Sequence, residues 1–144
     1  MRGCIIFLLL IIAHLVSFSQ ELGEIPFKKC NTIVYTASEN ELERIDEVLF
    51  NMNIQIDKYD DKRMIIETDF SNNFDDNASL VYTAFYFRIH KGTVYLTGEY
   101  YSGALGVDIK ESIYYSGWAV PKSAFKRMEL IASKLSDSLK YSKK

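Results

Sequence analysis

The chain reads as an α+β domain built on an antiparallel sheet, and three observations lead there. Two amphipathic helical patterns, near residues 39–52 and 121–135, stand far apart in the chain. Between them run apolar-polar alternations interrupted by turn formers, Asp60-Asp61-Lys62 and Lys91-Gly92, which is the composition of successive hairpins. Short hairpins make neighbouring strands antiparallel, and such a sheet can bury one face under helices while the other meets water. The expected architecture is a sheet of about five or six strands, ordered strand, helix, four or five strands, helix, with both helices on one face.

The 144 residues begin MRGCIIFLLLIIAHLVSFSQ. Arg2 supplies a positive start, Ile5 to Val16 an apolar run, and Ser17 and Ser19 the small residues of a signal-peptidase site. Residues 1–19 are therefore expected to be an export signal cleaved before Gln20. The run is shorter than the roughly 20 residues that span a bilayer. No Cys follows it directly, because Cys4 precedes it and Cys30 lies well beyond. The mature chain is expected to be periplasmic or extracellular and soluble, neither a lipoprotein nor stably anchored in a membrane. It retains one Cys, so no intramolecular disulfide is available, and Cys30 is expected to be a small buried residue opening a strand. A net charge of −2, spread without runs, gives no steering toward nucleic acid.

Residues 20–31 contain Gly23 and Pro26 without a sustained period and read as an extended arm, leaving 32–144 as one domain. Thr32 to Ala37 is β-branched and aromatic, a first strand. Ser38 with Glu41 has the spacing of a capping box, and Leu42, Ile45, Leu49 and Met52 give a helix over Glu39 to Met52. Ile54 to Tyr59 and Arg63 to Phe70 read as a hairpin on a three-residue loop, with Ile56 facing Ile66 and Ile54 facing Thr68. Ser71 to Asn77 reads as a solvated loop rich in Asn and Asp. Two long strands, Ser79 to Ile89 and Thr93 to Tyr101, follow. After a Gly-containing stretch, Ser102 to Gly106, the segment Ile113 to Trp118 is a candidate edge strand. Pro121 fits a first helical turn, and Phe125, Met128, Ile131, Ala132 and Leu135 form the buried stripe of a second helix. Lys140, Lys143 and Lys144 are expected near its negative dipole end.

A two-residue Lys91-Gly92 turn pairs His90 with Thr93 and fixes every later partner. Ile89 then meets Val94, Phe87 meets Leu96 and Phe85 meets Gly98, while the other face joins Arg88 to Tyr95, Tyr86 to Thr97, Ala84 to Glu99 and Tyr82 to Tyr101. The Phe rings are expected to face one way and most Tyr rings the other. Tyr82, Tyr86, Tyr95 and Tyr101, with Arg88 as polar contact, form a candidate binding face able to stack on a ring and to hydrogen-bond through hydroxyls. Tyr is also a favoured strand residue on any half-exposed face, which gives the same enrichment without a partner.

Catalytic and metal signatures are lacking. Once the signal is removed His90 is the remaining imidazole, beside a turn, with no Ser or Cys motif to make a nucleophile pair. One Cys and one His do not make a zinc site. Asp69, Ser71, Asn73 and Asp75 alternate like the opening of a calcium loop, but Phe74 stands where that loop needs Gly and Leu80 where it needs Glu. No catalytic residue, metal or cofactor is assigned.

The strand-to-helix entry NTIVYTASENELERIDEVL, the central FYFRIHKGTVYLTGEY and the closing AFKRMELIASKLSDSLKY, behind a signal ending SFSQ, together resemble the TBP-like (helix-grip) class of small exported Gram-negative envelope proteins of unknown function. The resemblance covers the mature chain in pattern and length. It implies the helix-grip fold and supplies no catalytic residues. Members of the class bind apolar ligands between sheet and C-terminal helix or serve as accessory parts of envelope assemblies. The expected function is a non-enzymatic binding or accessory module of the bacterial cell envelope, using the Tyr-rich face to hold an envelope protein or a glycan. The alternative is a carrier of a small apolar ligand, in a pocket lined by Phe85, Phe87, Phe125 and Met128.

Overall fold

The computed structural model describes residues 22–103 and 109–143. The expected export signal, its cleavage point at Gln20 and most of the stretch from Ser102 to Gly106 lie outside the described residues. Among the described residues no helix is long and apolar enough to cross a membrane. The elements are β1 (Leu22–Gly23), β2 (Thr32–Thr36), α1 (Glu41–Asn51), β3 (Ile56–Asp60), β4 (Ile65–Thr68), β5 (Val81–His90), β6 (Thr93–Ser102), β7 (Ile109–Ser112), α2 (Ala119–Leu135) and β8 (Lys140–Ser142).

The class is α+β, as the alternation predicts, but among the described residues the antiparallel sheet has eight strands and not five or six. Across the sheet the order is β1-β8-β2-β6-β5-β4-β3. The arm contributes β1, paired with β8, and β8 in turn pairs with β2. Lys140, expected beyond a helix end, is therefore a strand residue, because α2 stops at Leu135 and Tyr141 is drawn into the core. Strands of two and three residues are too short to show a period, so nothing in the composition marks them. The candidate strand at Ile113 to Trp118 also moves: pairing occurs at Ile109–Ser112, while Ile113 is fully buried and Tyr115 bonds back to Cys30. β6 is long enough for β2 to pair with its first half and β7 with its last four residues.

The β5–β6 hairpin carries the register predicted from its turn at every pair from Tyr82–Tyr101 to His90–Thr93. Lys91 (φ 49°) and Gly92 (φ 72°) both take the left-handed region, the requirement of a turn whose twist matches the strands it joins. The β3–β4 hairpin departs from expectation. Asp60 Oδ1 accepts the Arg63 N–H at 2.9 Å and Met64 (φ 57°) closes the loop, so Asp60 pairs with Ile65. A bulge between Ile56 and Lys58 then brings Ile56 opposite Thr68 and Tyr59 opposite Ile66. Carboxylate capping of the turn selects a four-residue loop over the three-residue one.

α2 lies across β5, β6 and β2 and touches α1. Ile33, Ile66, Phe85, Phe87, Val94 and Leu96 from the sheet join Leu42, Ile45 and Leu49 of α1 and Phe125, Met128, Ile131 and Leu135 of α2 in one core. Helix α1 starts at Glu41 behind Asn40 (φ 58°), later than expected, with half of the capping box in place. Glu41 Oε2 accepts the Ser38 N–H at 2.8 Å, but the Ser38 hydroxyl turns to the same carboxylate at 2.5 Å and not to a helical N–H. Arg44 bonds Glu41 at 3.0 Å and reaches across to the Leu135 carbonyl at 3.0 Å, so one side chain ties the start of α1 to the end of α2. At its other end, α1 closes with Asn53 (φ 55°) while Ile54 N–H bonds Leu49 O at 2.9 Å, the bonding that satisfies terminal carbonyls.

The loop Ser71 to Asn77 is pinned and not merely solvated. Arg127 of α2, 2% exposed, donates to both Asp76 carboxylate oxygens at 2.7 Å, to Val81 O at 2.5 Å and to Ala78 O at 3.0 Å. Its guanidinium also lies 4.7 Å from the Phe74 ring centre, and Phe74 meets Phe85 edge-on. The Arg127 hydrogen bond holds the Asp76 carboxyl below its ordinary pKa.

A depressed carboxyl pKa stabilises the fold above the unfolded value, and that contribution is lost as pH falls through the folded one. Asp76→Ala leaves a buried guanidinium without its counter-charge, so chemical denaturation at pH 7 should show a loss of about 3 kcal/mol, with the gap to wild type narrowing below about pH 4. At Gly98 an added Cβ would lie 2.6 Å from Ala84 O and 2.8 Å from Ile113 Cδ1. Gly98→Ala is expected to cost roughly 1–3 kcal/mol by overpacking, read in the same denaturation experiment.

Candidate functional site: an aromatic and charged cluster on the open sheet face

Strand alternation sets the two sheet faces apart. Tyr82, Tyr86, Tyr95 and Tyr101 all lie half-buried on the face away from the helices, with exposed Arg88 on the same side. They do not form one group. Tyr101 pairs with Tyr82 across the hairpin, whereas Tyr95 pairs with Arg88 six residues earlier in β6, a separation of about 20 Å at the usual strand rise. The sheet thus divides the expected platform into two parts, with Tyr86 between them.

The part around Tyr82 and Tyr101 is the richer. Their rings are stacked, 4.7 Å between centres and 5° from parallel, and the Phe70 ring meets Tyr101 edge-on at 5.4 Å. Lys110 of β7 stands opposite Tyr101, places its ammonium 5.2 Å from the Phe70 ring centre and pairs with Glu99 Oε2 at 2.8 Å. The Tyr86 hydroxyl donates to the same Glu99 oxygen at 2.8 Å. Lys110 holds the Glu99 carboxyl below its usual range. Burial, then the hydrogen bond to Glu99, pushes the Tyr86 phenol up to about 12. A chain of side chains, Tyr86–Glu99–Lys110–Phe70–Tyr101–Tyr82, is thereby linked from end to end. Phe70 also borders a hollow of about 790 Å³, lined further by Phe50, Asn53, Gln55, Asp69 and Ser71.

Three members of this chain are absent from the sequence-based site. Glu99 was legible, since alternation places it on the face of Tyr95 and Tyr101. Lys110 depends on β7, whose pairing falls before the segment the sequence singled out, and Phe70 lies beyond the end of β4.

The four residues of the expected apolar pocket, Phe85, Phe87, Phe125 and Met128, do come together. Each is at most 1% exposed within the packed core, so a ligand placed among them has to displace side chains. His90 is exposed beside the hairpin turn. Cys30 is fully buried just ahead of β2, and burial pushes its thiol up, away from thiolate chemistry. Ser71 Oγ accepts the Asn73 N–H, and Asn73 donates its side-chain amide to Asn53 O. Among the described residues no group of three or more His, Cys, Asp or Glu is placed to hold a metal. What this geometry offers is non-covalent recognition: aromatic surface beside a fixed carboxylate and a fixed ammonium.

Replacing Glu99 by Gln removes the charge that disfavours phenolate at Tyr86. Tyrosine absorbance followed against pH should then show one phenol ionising at lower pH than in wild type, where burial and Glu99 push the Tyr86 phenol up to about 12. Comparison with known proteins yields no matching family model and no significantly similar curated protein, so the chain is placed by its geometry and not by kinship.

Proposed function

We propose that the protein is an exported, non-enzymatic binding or accessory module of the bacterial cell envelope, and that it engages an envelope protein or glycan through the open sheet face. The observation that carries this reading is the linked cluster of Phe70, Tyr82, Tyr86, Glu99, Tyr101 and Lys110. It joins rings stacked across the two longest strands to an ion pair between β6 and β7, so aromatic surface and paired charges lie side by side on one sheet face. Tyr and Trp surfaces of this kind bring large contact area and hydrogen-bonding hydroxyls with little rotamer entropy to lose. The adjoining hollow beside Phe70 adds amide and carboxylate groups, the complement of hydroxyl-bearing partners. Export is supported by the N-terminal segment alone. The long helix α2 lying over β2, β5 and β6 supports the helix-grip relationship that the sequence pattern suggests.

The test is capture of an envelope partner by the mature chain and its variants. Tyr86→Ala with Tyr101→Ala is expected to abolish capture while unfolding stays cooperative, although loss of the ring stack lowers stability by about 1 kcal/mol. Arg88→Ala, in the remote part of the face, is expected to weaken capture less. Unchanged capture by the double Tyr variant would sink the proposal.

A further inference from the structure

A second concave surface uses none of these residues. Residues 28–29 and 114–119 line a groove of about 740 Å³. Two backbone hydrogen bonds hold its walls together, Lys29 N–H to Tyr115 O at 3.0 Å and Tyr115 N–H to Cys30 O at 2.8 Å. The Tyr115 ring rests edge-on against buried Phe125, 5.4 Å between centres, which fixes its 37%-exposed outer part. Trp118 is 80% exposed. It stands at the N-cap of α2, where an indole has no acceptor to offer the free N–H groups of the first turn. Ser, Thr, Asp or Asn is the usual choice at that position. The fold thus leaves its largest ring in water at a place where a small polar residue would serve the helix better, and core packing gives no reason for it.

We propose that this groove binds an anionic carbohydrate chain. The sign follows from charge complementarity: Lys28 and Lys29 are both exposed on its wall, no carboxylate among the described residues lines it, and the first turn of α2 carries no acidic residue. The carbohydrate follows from what else is present. The Trp118 and Tyr115 rings suit the C–H face of a sugar, while the Tyr115 and Ser116 hydroxyls suit its hydroxyl groups. Among the described residues an apolar lipid would find a single aliphatic side chain there, Ala119. The lysine ammonium groups then meet the carboxylate or sulfate substituents of the chain.

Trp118 is the one tryptophan of the sequence, so its fluorescence reports on this groove alone. The mature protein is titrated with oligogalacturonate and with dextran sulfate, against neutral dextran and polyglutamate. A saturable emission change is expected with at least one anionic sugar, weaker at higher salt, and with neither control. Lys28→Ala combined with Lys29→Asn is expected to weaken it about tenfold. Both side chains are exposed, and Asn suits the left-handed backbone of Lys29 (φ 66°). Trp118→Ala, followed by calorimetry, is expected to lose about tenfold in affinity with an unchanged far-ultraviolet circular dichroism spectrum. No response to either anionic sugar overturns the proposal, as does an equal response to polyglutamate or to neutral dextran, or full affinity in the lysine variant. The sheet-face reading stands or falls separately, because its Tyr variants leave this groove intact.

Discussion

The placement of the long hairpin against α2 rests on one buried cation. Arg127 sits on the inward side of α2, and its four hydrogen bonds all go to the connection between β4 and β5 or to the first residue of β5. A guanidinium taken out of water is tolerable only when its donors are met and its charge is matched. Asp76 supplies the charge, and the Ala78 and Val81 carbonyls take further donors. The loop from β4 to β5 cannot wander while it does so. Phe74 is carried onto Phe85, and β5 enters the sheet with Tyr82 already placed beside Tyr101. The aromatic cluster on one face thus depends on an ion pair made on the other.

A second regularity is the pairing of phenols with carboxylates. Tyr86 donates to Glu99, Tyr100 to Glu111 and Tyr141 to Glu129, joining β5 to β6, β6 to β7 and β8 to α2. In each case burial comes first and the carboxylate second in raising the phenol pKa, so these hydroxyls remain donors across the physiological range. Tyr35 faces Glu41 in a similar way, but its hydroxyl and Glu41 Oε1 are buried without a well-formed hydrogen bond. Burial and that carboxylate hold the Tyr35 phenol well above its ordinary value. Glu41 keeps its other oxygen on Ser38 and Arg44, which is why the pair persists beside the core.

Legibility in the sequence followed the physics of each element. The β5–β6 hairpin was fully readable because a Lys-Gly turn admits one register and ten-residue strands display their alternation. The helices are readable from their stripes, though the apolar spacing alone does not single out Arg127. It lies four residues before Ile131 on the same stripe, and a charged residue in that position is the signal of a buried pair. The β3–β4 register was misread because a side-chain carboxylate, and not backbone alone, decides the loop. β1, β7 and β8 are pairings of two to four residues whose existence depends on partners distant in sequence. The binding face was legible as a face but not as two separate parts, since strand alternation gives the side of a residue and not its lateral neighbours.

β6 has different outer partners along its two halves. From Thr93 to Leu96 it is clamped between β2 and β5, and β2 is itself backed by β8. From Glu99 to Ser102 its outer neighbour is β7, a four-residue strand at the sheet's margin. The junction falls at Gly98, where the Ile113 N–H takes up the carbonyl between the two partners. Detachment of β7 therefore need not disturb β2, and local opening has a natural boundary inside a single continuous strand. Lys110 would leave with β7, uncoupling the ion pair from the rings. The charged border of the aromatic surface thus hangs on a different strand pairing from the one that clamps the other half of β6.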